Sequence, residues 1–228
     1  MLPSRQLERN SSEMDQQIDL RVAELMASRL CHDLVGPIGA VNNGMELLED
    51  PELEMAQEAV RLAGHSAEHA SILLQFFRLA YGMAGSRQGR DLGPMRELAK
   101  GFLSHAKSEL EWPSDPLPDS APEDLGKLLL NMIALAVEAL PRGGTVAVSV
   151  AEGPGGLEVA ARAAGSDVGL REEMAATLNG GVSVEELTPR NVQGYFTQLL
   201  ARRLGSDLAV ETEAGEAVKL RVALPHAA

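Results

Sequence analysis

The 228-residue chain is 45% hydrophobic, enough for sizeable cores, and its 33 acidic against 20 basic side chains give a formal charge of −13. Wholesale disorder is excluded, and nucleic acid and anionic membrane surfaces are poor partners for so acidic a protein. The single cysteine, Cys31, cannot form an intramolecular disulfide, no charged-then-apolar leader is recognisable, and no uncharged apolar run reaches membrane-spanning length, so the expectation is a soluble cytoplasmic protein.

From about Glu13 to Tyr81 the pattern is helical, broken once at "LLEDPELEM", where Asp50 can cap a second helix and Pro51 can occupy its first turn. In the first helix Val22, Met26, Leu30, Leu34, Ile38, Val41, Met45 and Leu48 form one apolar stripe at three- and four-residue spacing. The second carries a seam of Ala56, Val60, Ala63, Ala67, Ala70, Leu74, Phe77 and Tyr81, flanked by Met55, Leu62, Leu73 and Phe76. That face is wider than one helix can cover, so two hairpins are expected to pair as a homodimeric four-helix bundle. The Gly-rich, polar stretch "YGMAGSRQGRDLGP" marks a boundary and divides the chain into residues 13–84 and 92–228.

Beyond it, the spacing predicts a helix over Pro94–Ala106, a short strand at Glu109–Trp112 and a long helix over Glu123–Leu140 closed by "PRGG". Strands at Thr145–Ala151 and Leu157–Ala163 are joined by the hairpin-type connection "EGPGG". Helices over Val168–Leu178 and Pro189–Leu204 follow, the latter capped by Thr188 and ended by Gly205, before strands at Leu208–Thr212 and Val218–Leu224. The sum is a helical hairpin followed by a mostly antiparallel sheet with helices on one face.

The reactive-looking group is His32, in "SRLCHDLVGPIGAVNNGMELL". Helical geometry turns it away from Leu30 and Leu34 and toward solvent, with Ser28, Arg29, Gly36, Gly39 and Asn43 as neighbours small enough to admit another protein's backbone. Pro37 removes a hydrogen bond to the carbonyl of Asp33 and costs about 3 kcal/mol within a helix, so a bend is expected one turn after the histidine. Cys31 reads as a small buried filler, and Met26, Met45 and Met132 as core.

"HDLVGPIGA" resembles the H-box of sensor histidine kinases, "LGKLLLNMIALAVEALPRGGTVAVSV" their N-box helix and following strand, and "NVQGYFTQLLARRLGSDLAVETEAGEAVKLRVALP" the end of their ATP-binding domain. The resemblance runs in order over nearly the whole chain, but the nucleotide chemistry is missing. Leu135 falls where those kinases carry a magnesium-ligating Asn, Asn131 matches only the earlier position, "ARAAGSDVGLREE" replaces the acidic glycine box, and Gly194 is all that remains of the second. Leucine cannot hold magnesium, and phosphate cradles need backbone N–H groups left accessible by glycine.

This combination resembles the ChpT-type histidine phosphotransferases of alphaproteobacteria. The resemblance implies a dimeric hairpin bundle followed by a degenerate ATPase-like (Bergerat-type) α/β sandwich without nucleotide binding. It further implies that His32 accepts a phosphoryl group from the receiver domain of a CckA-like hybrid kinase and passes it to CtrA-like and CpdR-like response regulators, in cell-cycle control. Catalysis would rest on His32 and Asp33, Asp33 orienting the ring or accepting the Nδ1 proton. Arg29, Gly36, Pro37, Gly39 and Asn43 would form the docking face. No cofactor or metal of its own is expected, the Mg²⁺ being held by the partner receiver domain. Gly36 stands where dual-function kinases typically carry a Thr or Asn that positions water, so weak hydrolysis is expected. Two alternatives are a divergent ATP-dependent histidine kinase, which the lost glycine boxes disfavour, and a non-catalytic dimeric adaptor, which His32, Asp33 and Pro37 disfavour. Finally, "HSAEH", His65 to His69, matches an inverted zinc-protease spacing but has no evident third ligand.

Overall fold

The computed structural model describes residues 20–49, 55–83, 91–113, 117–118, 121–213 and 215–225. The helix start expected near Glu13, the Asp50–Pro51 turn and half of the proposed boundary segment lie outside these residues. Helix α1 (Leu20–Glu49) continues through Pro37, and α2 (Ala56–Ala80) packs against it. The two helices come close at Gly44, where any side chain would press on the Ala59 carbonyl and on Ala63.

The rest of the described chain runs α3 (Gly93–His105), β1 (Ser108–Glu111), α4 (Leu125–Glu138), β2 (Gly144–Gly153), β3 (Gly156–Ala164), α5 (Glu172–Leu178), a 3₁₀ turn (Val184–Glu186), α6 (Val192–Arg203), β4 (Leu208–Glu213) and β5 (Ala217–Pro225). The five strands lie in the order β1-β2-β3-β5-β4, with only β1 and β2 parallel. Alternation in β5 sends Val218, Leu220, Val222 and Leu224 inward. Ion pairs such as Arg162–Glu213 and Arg221–Glu211 occupy the exposed side.

Helix α4 shows why sheet and hairpin share a core. Its sequence "LGKLLLNMIALA" is apolar nearly all round, and residues 125–136 are all buried. Such a helix needs neighbours on every side, and it has them in β3, α3, α6 and the hairpin helix α2. One continuous cluster therefore joins Leu34, Leu73, Phe76 and Phe77 of the hairpin to Leu128, Met132, Val159 and Leu220.

The structure corrects several expectations. The buried face of α2 is Ala59, Ser66, Ala70, Leu73, Phe76, Phe77, Leu79 and Ala80, because the helix answers to α3 and α4 as well as α1. In the single chain Val60 and Leu74 of the expected seam are exposed, together with Ile38, Met45, Leu48, Met55 and Leu62, and are left for a partner to cover. Cys31 is exposed rather than a core filler. The helix expected from Val168 begins only at Glu172, since Val168 is buried and the Gly169 N–H is tied to the Ala139 carbonyl at the end of α4. The last long helix has Asn191, not Thr188, at its N-cap position. Asn191 folds back so that its Oδ1 accepts from the Thr188 N–H, fixing the turn ahead of the helix. Among the described residues no helix is long and apolar enough to cross a membrane.

Candidate functional site

His32 projects from the middle of α1 with its side chain 86% exposed, and its Nδ1 lies 3.2 Å from Asp33 Oδ1. The expected contact between these adjacent residues is thus present. Gly36 and Gly39 have open space where a side chain would stand, and Asn43 is exposed. Pro37 sits between them, half-buried.

Arg29, one turn before His32, departs from its expected place on the docking face. Its side chain is only 16% exposed and points across to the C-terminal region, where Nη2 donates to Glu138 Oε1 at 2.5 Å and Nη1 to the Pro189 carbonyl at 3.5 Å. Its Nε lies 3.8 Å from Asp33 Oδ2. Burial raises the pKa of the Glu138 carboxyl above the ordinary carboxylate range, with Arg29 opposing the rise.

A cleft of about 760 Å³ opens beside His32, lined on one side by Ser28, Arg29, His32 and Asp33 and on the other by Glu138, Arg171, Glu173, Thr188, Pro189 and Arg190. The C-terminal region therefore supplies more than half of the residues around the histidine's cleft. Two exposed cations, Arg171 and Arg190, face that space in an otherwise acidic protein. Sequence reasoning missed Glu138, Arg171 and Arg190. Only Glu138 left a trace, as a lone acid closing an apolar helical run.

The positions where the kinase resemblance fails are built into the core. Asn131 is fully buried: its Nδ2 donates to the carbonyls of Ala80 and Lys127, and its Oδ1 accepts from Gln193 Nε2. Gln193 Oε1 in turn accepts from the Tyr81 hydroxyl at 2.7 Å. Leu135 is fully buried. A side chain at Gly194 would strike Met174, so this glycine serves helix packing. Beside this joint, Val22 and Met26 of α1 pack with Leu187 and Val192, and Arg21 donates to the carbonyls of Val184 and Leu187.

His65 and His69 face α3, where His69 stacks on His105 with ring centroids 4.0 Å apart and His65 lies 5.2 Å from the same ring. Among the described residues no group of three potential ligands is arranged to hold a metal ion.

Residues 92–216 match the family model of the histidine phosphotransferase C-terminal domain, more than half of the chain. The chain belongs to that family. Its likeness extends beyond the matched region: it is 32% identical over 200 residues to the protein phosphotransferase ChpT of Brucella abortus (strain 2308), covering 87% of this chain and 94% of that one. A solved bacterial phosphotransferase superposes with a TM-score of 0.76 at 32% identity, over 90% of this chain and 97% of the other. Histidine phosphotransferases of this kind are thus the setting in which the cleft at His32 is to be understood, and protein phosphotransfer is the family activity.

Proposed function

We propose that His32 is a phosphoryl carrier, taking the group from the receiver domain of a CckA-like hybrid kinase and passing it to CtrA-like and CpdR-like response regulators. The observation that carries this reading is an exposed imidazole, held at Nδ1 by Asp33, on the lip of a cleft with cationic side chains opposite. With the proton on Nδ1, the Nε2 lone pair is free toward solvent. Nε2 attacks the phosphorus of an aspartyl phosphate, the N–P bond forms as the P–O bond breaks, and the receiver's carboxylate leaves. The ring keeps its Nδ1 proton and gains positive charge, which Asp33 balances. The reverse transfer follows the same path.

The Mg²⁺ that phosphoryl transfer uses belongs to the receiver in this reading. Arg171 and Arg190 draw the partner's acidic surface into the cleft, while Gly36, Gly39 and Asn43 leave room for its backbone. The carrier does not make its own phosphohistidine, because Asn131 and Leu135 are interior and Gly194 is covered. Gly36 offers no side chain to orient water, so hydrolysis is weak. The exposed apolar residues on both hairpin helices, Ile38, Met45, Val60 and Leu74 among them, pair with a second copy in a four-helix bundle.

The test is to mix the protein with a ³²P-labelled receiver domain and follow acid-labile label. Label is expected on the wild type, and none on it when labelled Mg-ATP is supplied alone. Receiver-derived label that never reaches the protein would rule out the carrier role.

A further inference from the structure

Four ionisable groups form one line across the joint between hairpin and sheet domain: His32 Nδ1 to Asp33 Oδ1 at 3.2 Å, Asp33 Oδ2 to Arg29 Nε at 3.8 Å, and Arg29 Nη2 to Glu138 Oε1 at 2.5 Å. The middle link is the informative one. Arg29 Nε is buried and has no hydrogen-bond partner, an arrangement that costs free energy and persists only where other contacts of the guanidinium offset it. Asp33 Oδ2 is an acceptor 3.8 Å away, with the Tyr81 hydroxyl also beside the guanidinium, and a closer approach of Arg29 to Asp33 would satisfy both charged groups. What holds Arg29 back is Glu138, assisted by the Pro189 carbonyl at 3.5 Å.

We propose that Glu138, on the last turn of α4, is a positioning residue for phosphotransfer at His32: it anchors Arg29 so that Asp33 remains available to accept from the imidazole Nδ1–H. The inference rests on the carrier reading for its effect on transfer, but not for its effect on the ring. Without the Glu138 charge, Arg29 turns onto Asp33 and competes with His32. The imidazole then loses the partner that selects its tautomer, and Nε2 acquires the proton in a larger share of molecules. A carboxylate at the C-terminal end of a helix is disfavoured by the helix dipole, so a structural explanation of Glu138 from helix stability alone runs the wrong way.

The experiment compares wild type, Glu138→Gln, Glu138→Asp and the double variant Arg29→Met/Glu138→Gln. In ¹⁵N spectra without any receiver, His32 should be mainly the Nδ1–H tautomer in the wild type and shift toward Nε2–H in Glu138→Gln. Glu138→Asp should fall between, and removing the competing arginine in the double variant should restore the wild-type ratio. With phosphorylated receiver, the transfer rate constant at saturation should drop about tenfold in Glu138→Gln while KM changes by less than about twofold. A tautomer ratio and rate constant that stay at wild-type values in folded Glu138→Gln overturn the inference, as does a double variant no better than the single. A wild type that accepts no label while its tautomer still responds to Glu138 sinks the carrier reading instead, leaving the tie to the ring intact.

Discussion

His32 and Asn131 both sit in motifs resembling those of sensor kinases, yet the fold treats them in opposite ways. The imidazole is 86% exposed, with one polar neighbour at hydrogen-bond distance. The amide is 0% exposed and bonded at both ends to three other residues. A polar side chain kept accessible and lightly restrained is available for chemistry, whereas one fully satisfied in the interior has become part of the scaffold. The same residue types in a sequence therefore say little until their surroundings are known.

The sharpest break of this contrast is His32→Ala. Transfer in both directions should vanish, while Tm stays within about 1 °C, since substitution at an exposed position removes little packing. Retained label, or rapid release of free phosphate that survives the substitution, would place the chemistry elsewhere. Next in size is Leu74→Asp, on the uncovered side of α2. A carboxylate buried between two copies costs about 3–5 kcal/mol, enough to turn a dimer into a monomer in micromolar sedimentation. A wild type that itself sediments as a folded monomer would refute the bundle.

Asn131→Leu probes the scaffold side. It strands Gln193 Nε2 and the Ala80 carbonyl, and should cost about 2–4 kcal/mol in urea unfolding while the folded fraction still transfers phosphate. An unchanged midpoint would show the network to be dispensable. The smallest effect belongs to the histidines between α2 and α3. Burial, then the neighbouring histidines, lowers the pKa of His69 below 6.5; at His105 burial and His65 lower it while Glu68 opposes. Stability is thus fully present above the ordinary value and lost as pH falls toward the folded one, because the unfolded chain takes up protons first. Between pH 7 and pH 5.5 these two residues should lower Tm by about 2 °C or less, a difference that His105→Asn should reduce and that differential scanning fluorimetry can resolve.

What the sequence revealed follows from the range of the forces involved. Local periodicity and turn chemistry placed every strand and helix after Pro94 to within a few residues, and the expected helix end at Gly205 matches α6 closing at Arg203. The outward aim of His32 needed only the angular step of a helix. The tie between Arg29 and Glu138 was not legible because it joins residues 109 apart, and the bonds of Arg21 to the 3₁₀ turn span more than 160. Which part of α2 meets the rest of its own chain was not legible for a related reason: periodicity shows how much of a helix is apolar, but not which of several neighbours will cover each part. Arg171 and Arg190 lie in irregular segments, where no spacing distinguishes a cation beside a histidine from one facing bulk water.

The chain from Tyr81 through Gln193 to Asn131 has a consequence for timing. Because the end of α2 is bonded into α4 and α6, the two walls of the cleft are already in register before any partner arrives. An encounter need not wait for a domain to swing, nor lose the entropy of ordering one. Part of the free energy that would otherwise go into assembling the surface need not be recovered through tight binding. In the proposed carrier role this is a gain, since each partner can dock quickly and leave soon after the phosphoryl group has moved.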